Sequence, residues 1–151
     1  CHTTNDAGVD TELAEIHAVV PLSYDFSTGH DDAYLQQICP NIDIAFFSDA
    51  ELDAEGVDRL IARAHELGTG IVVVTKGSQG SVCSDHGKRY EQGIVPVHAI
   101  DAMGAGDSFA AAFLVRYFET RDIPCAMTFA ADRAAHTCTF NGAFGHPGKI
   151  R

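Results

Sequence analysis

The run GIVVVT, Gly70 to Thr75, stays apolar and mostly β-branched until its last residue. A strand with one wet face alternates apolar and polar residues. An unbroken apolar run fits a strand covered on both faces, the usual condition of a parallel sheet. IDIAFFS, Ile42 to Ser48, also reads as a buried strand. Between the two, AEGVDRLIARAHELG sets Val57, Leu60, Ile61, Ala64 and Leu67 at helical spacing, and Gly68 is the expected C-cap.

The rest of the chain extends this alternation. AVVPLSYDF, Ala18 to Phe26, reads as a strand broken by Pro21, and DDAYLQQICP as a short helix stopped by Pro40. GSVCSD and KRYEQGIVPVHAI read as a hairpin and a further strand. Two helices close the chain. The first carries a stripe of Phe109, Ala110, Phe113, Leu114 and Tyr117; the second, roughly Cys125 to Thr139, is rich in alanine. Strands alternating with helices predict an α/β layered fold with a largely parallel sheet. Ligands of such sheets sit at the carboxyl ends of the strands.

Composition narrows the function classes. The 151 residues fit one domain or a large piece of one. With 46% hydrophobic and 21% charged residues, the profile is that of a soluble globular chain. No apolar run reaches the ~18 residues of a membrane helix. Without such a run no membrane is expected as a partner, and a net charge of −11 repels phosphate backbones, so no nucleic acid is expected either. A small anion can still bind backbone amides locally. Cys1, Cys39, Cys83, Cys125 and Cys138 show no C-x-x-C or zinc-type spacing, so buried or free thiols in a reducing cytoplasm are expected. No histidine pair has compact metal spacing, and His98 and His136 are read as structural. Asp25 ends a strand, where such acids often only satisfy turn amides.

The chemistry concentrates in DAMGAGDSFAAAFL, Asp101 to Leu114. Here a glycine turn opens a helix after the expected strand GIVPVHAI. The first amides of a helix have no internal acceptors, and the macrodipole adds about half a positive charge there. Gly104 and Gly106 allow a tight turn and close approach of an anion. Such a hole suits charge developing on a transferring phosphoryl group. Asp107 beside it could take a proton from an attacking hydroxyl, or could merely complement the helix dipole. Two common phosphate motifs are absent. G-x-G-x-x-G would need glycine where Phe109 stands, and GSVCSDHGKR has six residues between Gly80 and Gly87 and an arginine after Lys88, which is not Walker spacing.

These stretches resemble the carboxyl-terminal half of a ribokinase-like (PfkB) carbohydrate kinase. DAMGAGD is similar to that family's D-T-x-G-A-G-D, with Ala102 in place of threonine. VTKGSQGS, Val74 to Ser81, is similar to its T-x-G-x-x-G segment. SDAE, Ser48 to Glu51, resembles its N-x-x-E motif, with Ser48 in place of asparagine. AADRAAHTCTFNGAFG resembles its alanine-rich helix and Gly-Ala turn. Within the family, YDFS, IDAMGAGDSF and GAFG look most like fructoselysine 6-kinases.

The resemblance implies a ribokinase-like fold and ATP-dependent phosphoryl transfer to a primary hydroxyl of a sugar, with a fructosamine such as fructoselysine as substrate. Fructokinase, ketodeoxygluconate kinase, nucleoside kinase and a non-catalytic nucleotide-binding fragment stay open. Residues 1–151 would form the nucleotide-binding, carboxyl-terminal part of one domain. The opening CHTTND would fall mid-protein, with the amino-terminal sugar and lid part absent. Asp107 would be the general base, and Gly104, Ala105 and Gly106 would supply the anion-hole amides. Thr75, Gly77 and Gly80 would flank the ribose and adenine, with Ala131 and Ala135 opposite and Ser48 near the phosphates. Glu51 would help hold Mg2+ through water. A monovalent cation such as K+ would take carbonyls of Asp101, Met103 and the turn at Gly142. A homodimer is left open as the assembly.

Overall fold

The computed structural model describes residues 1–29 and 31–142. They divide into two compact units. One comprises Cys1–Gly77 and Val82–Tyr90; the other comprises Ser78–Ser81 and the chain from Glu91 onward.

Six strands form one sheet in chain order: β1 (His2–Thr4), β2 (Ser23–Asp25), β3 (Ile44–Ser48), β4 (Ile71–Thr75), β5 (Ser81–Asp85) and β6 (Lys88–Gln92). The first four run parallel, with Tyr24 beside Ala45, Ala45 beside Val72, and Ser48 beside Thr75. The links Lys76–Gly80 and His86–Gly87 are too short for a parallel crossover, so β5 and β6 turn back antiparallel. His86 and Gly87 have φ of 47° and 88°, as a two-residue hairpin turn needs. The expectation of a largely parallel α/β sheet accompanied by helices is borne out.

Helices α1 (Leu13–His17), α2 (Asp32–Ile38) and α3 (Ala54–Glu66) belong to the first unit. Side chains alternate across a strand, so Ala45, Phe47, Val72 and Val74 share one sheet face. There they join Leu35 and Ile38 of α2 and Val57, Leu60, Ile61 and Ala64 of α3 in one buried core. Phe26 and Phe47 stack at its centre, ring centroids 4.6 Å apart. The Tyr24 hydroxyl, also buried, donates to Asp10 Oδ1 at 2.6 Å, which answers its hydrogen-bonding need inside the core. Asp31 and Asp53 cap α2 and α3, their carboxylates accepting from the amides of Tyr34 and Gly56. Gly68 follows α3 with φ of 114°, as expected at that helix end.

Helices α4 (Ala105–Thr120) and α5 (Ile123–Thr137) belong to the second unit. The expected stripe on α4 is ordered as a run of near-parallel rings, Phe109 to Phe113 and Phe113 to Tyr117. Ala126, Ala130 and Ala131 of α5 are buried, and their small size allows close helix approach. The Ser108 and Thr137 hydroxyls bond across the helix pair at 2.6 Å.

Three expectations are corrected. GIVPVHAI forms no strand: Pro96 has no N–H to donate, and Ile94, Val97 and Ile100 are exposed rather than packed. His98 therefore lies in irregular chain. The run Ala18–Phe26 yields only Ser23–Asp25 as strand, because Ala18 still caps α1 and Pro21 interrupts pairing. Helix α5 starts at Ile123 rather than Cys125, since Asp122 caps the Cys125 amide at 2.8 Å and Pro124 suits a first turn. The GAFG ending beyond Gly142 lies outside the described residues. All five cysteines are free, and burial pushes the Cys83 thiol up to about 12.

Because Phe47 is fully enclosed and stacked, Phe47→Ala should cost about 3–5 kcal/mol. Urea unfolding checks this; a loss below about 1 kcal/mol would contradict the core described.

Candidate functional site

In the first unit, four of the expected residues lie at the carboxyl edge of β3 and β4. Ser48 and Thr75 end neighbouring strands in register. The Asp49 amide donates to the Thr75 carbonyl at 3.0 Å, and the Thr75 hydroxyl donates to the Phe47 carbonyl at 3.2 Å. These bonds tie the two strand ends together as the chain leaves the sheet. Asp49 Oδ1 then accepts from the amides of Glu51 and Leu52, a turn that leaves Glu51 exposed. Gly77 follows Thr75 with φ of 53°.

In the second unit the glycine turn is built as follows. The amides of Ile100 and Asp101 both donate to the Cys138 carbonyl, which pins the irregular chain to the end of α5. The Asp101 carboxylate then accepts from the Met103 amide at 3.0 Å and from the Gly142 amide at 2.9 Å. The three positions expected around a cation are thus brought together. These backbone donors, Met103 first, hold the Asp101 carboxyl below its ordinary value. Gly104 caps α4 in the left-handed region, φ 77° and ψ 3°, with no side chain to satisfy the helix amides. Non-glycine residues rarely adopt that backbone.

Ala105 donates back to Ala102, and Ser108 donates to Gly104. The amides of Gly106 and Asp107 have no acceptor among the described residues. A Cβ on Gly106 would meet no protein atom within 4 Å, so the space beside this residue is open. Asp107 lies in the first helical turn, exposed and next to these amides. The helix dipole adds positive potential at the same end. Chemically, this is a place where an anion can sit with a carboxylate at its side. It opens from irregular chain rather than from a strand, which corrects the strand-turn-helix expectation.

Ala131 and Ala135, one turn apart on α5, are both buried. Gly80 lies in the same unit, at the entry to β5. As for ions, no group of three or more His, Cys, Asp or Glu side chains gathers among the described residues. A lone exposed carboxylate such as Glu51 suits Mg2+ only as one ligand shared with water and phosphate oxygens. No described helix is long and apolar enough to cross a membrane. The Asp101 carboxylate was not foreseen as an organiser. An acid two residues before the Met103 amide is a recognisable turn signal, but its second bond reaches 41 residues along the chain.

The profile described as pfkB family carbohydrate kinase matches residues 11–145. Fructosamine kinase FrlD of Bacillus subtilis (strain 168) is 40% identical over 145 residues, covering 96% of this chain and 51% of that protein. Fructoselysine 6-kinase of Escherichia coli (strain K12) is 35% identical over 134 residues, covering 86% of this chain and 50% of that protein. The chain therefore spans about half the length of the curated relatives it matches. A solved structure of Arabidopsis thaliana ribokinase, complexed with ribose and ATP, superposes with a TM-score of 0.82. It is 26% identical and covers 97% of this chain and 52% of that one.

A depressed folded-state carboxyl lends stability above its ordinary value, and that stability is lost as pH falls through the lower folded value. The Met103 and Gly142 amide resonances should therefore titrate together, with a midpoint below 3.8. Separate midpoints, or a shared one at or above 3.8, would contradict the Asp101 clasp.

Proposed function

Because this chain belongs to the pfkB family of carbohydrate kinases, we propose that it carries the phosphoryl-transfer end of an ATP-dependent sugar kinase. The observation that carries the reading is the start of α4, where open amides and Asp107 stand side by side.

In this reading the Gly104–Gly106 amides take the charge that grows on the transferring phosphoryl oxygens. Asp107 accepts the proton of the sugar hydroxyl as that oxygen bonds to the γ-phosphorus and the bond to the ADP oxygen breaks. The transition state is loose, so a weak base suffices if positioned. Thr75, Gly77, Gly80, Ser48, Ala131 and Ala135 serve the nucleotide. Glu51 serves Mg2+, whose charge would neutralise the phosphates. The carbonyls of Asp101, Met103 and Gly142 serve K+. Their gathering by the Asp101 carboxylate supports that assignment.

The proposed substrate is fructoselysine or a related fructosamine, supported by the names of the two curated relatives. A cytoplasmic setting fits five free thiols. The rival is a nucleotide-binding module without turnover, which the half-length match keeps in play. The intact Asp107 favours the enzyme.

The test is turnover by the full-length protein with ATP, magnesium and a panel of fructoselysine, fructose, ribose and adenosine. Fructoselysine should react best. Binding of ATP without turnover of any acceptor would favour the module. Asp107→Asn should lower kcat by about 10² to 10⁴-fold with ATP binding retained. Near-normal kcat in that variant would remove Asp107 from the base role.

A further inference from the structure

Gly80 has φ of 90°, and a Cβ there would stand 2.3 Å from the Gln92 carbonyl oxygen. Only glycine tolerates this approach, so the Gly80 turn and Gln92 are pressed together. The Gln92 carboxamide is itself held at both ends. Its Oε1 accepts from the Thr128 hydroxyl at 2.9 Å, and its Nε2 donates to the Gly93 carbonyl at 3.0 Å. A backbone carbonyl can only accept, so flipping the amide would lose that bond and set two oxygens face to face. One N–H of Nε2 and one lone pair of Oε1 remain.

Thr128 lies on α5 at positions i, i+3 and i+7 with Ala131 and Ala135, hence on the same helix face. A second observation also points to a ligand. The Ser81 residue, next to Gly80, is 5% exposed, and its hydroxyl has no hydrogen-bond partner among the described residues. Buried hydroxyls without partners are uncommon, and a polar ligand atom would answer this one. All these groups belong to the second unit.

We propose that Gln92 selects the nucleobase, offering its free N–H and lone pair to the edge of a 6-aminopurine, with Thr128 as the positioning residue. The proposal rests on the nucleotide-binding reading above. At the 6-position an amino group donates where an oxo group accepts, and the adjacent ring nitrogen reverses in the opposite sense. A carboxamide that cannot flip matches one pattern and opposes the other.

The experiment measures KM and Kd of the full-length protein for ATP, GTP and ITP. Gln92→Leu keeps much of the volume and removes both hydrogen-bonding atoms. It should raise the ATP KM roughly 3- to 10-fold and shrink the ATP-over-GTP preference by a similar factor, with kcat little changed. Thr128→Val removes one of the two bonds that hold the amide, leaving the Gly93 bond alone, and should erode the preference to a smaller extent. Equal weakening of all three nucleotides in Gln92→Leu, or an unchanged preference, would overturn selection by Gln92. Unchanged preference in Thr128→Val would remove its positioning role. A wild-type protein that binds none of the three would overturn the nucleotide reading itself.

Discussion

The first amides of an α-helix have nowhere in the helix to donate, and this chain handles the problem in two ways. At α2, α3 and α5 an aspartate precedes the helix, and its carboxylate accepts from an amide in the first turn. At α4 the cap is Gly104, which has no side chain to offer. The amides there stay open, and the acid of the stretch, Asp107, sits inside the helix rather than at its cap. A helix start left in this state carries a cost in local stability, offset by whatever anion it receives. The functional reading depends on that difference.

The neighbouring structure supports the open turn. The Asp101 carboxylate joins Met103 and Gly142, and the Cys138 carbonyl receives two amides from the chain before the turn. The turn is therefore held from both flanks while its central amides remain free. In the first unit the apolar layer built on Phe26, Phe47 and the valines of β4 gives the strand ends a fixed base. Ser48 and Thr75 emerge from it in register. In both units, packed secondary structure fixes where the candidate residues stand.

Much of this was legible in the chain itself. A continuous β-branched run marks β4, an apolar run marks β3, and the spacing of Val57, Leu60, Ile61 and Ala64 marks α3, because each signal is local and its burial follows directly. The glycine turn was legible because Gly104 and Gly106 stand directly before the apolar stripe of α4. The segment Gly93–Ile100 misled: its apolar residues suggest a strand, but Pro96 and the exposure of Ile94 and Ile100 show that composition alone does not supply a pairing partner. The bonds from Asp101 to Gly142 and from Thr128 to Gln92 were not legible, since they join positions 41 and 36 residues apart. Such contacts depend on how α5 returns, and no local pattern encodes that.

The most direct measurement of the central claim is the backbone amide NMR of the full-length protein as a non-hydrolysable ATP analogue is added. The account predicts that the Gly106 and Asp107 amides shift strongly downfield at saturation, as new donors to phosphate oxygens, with those of α2, α3 and α5 caps unmoved. If the analogue binds and the Gly106 and Asp107 amides stay where they were, the start of α4 is not the phosphate site.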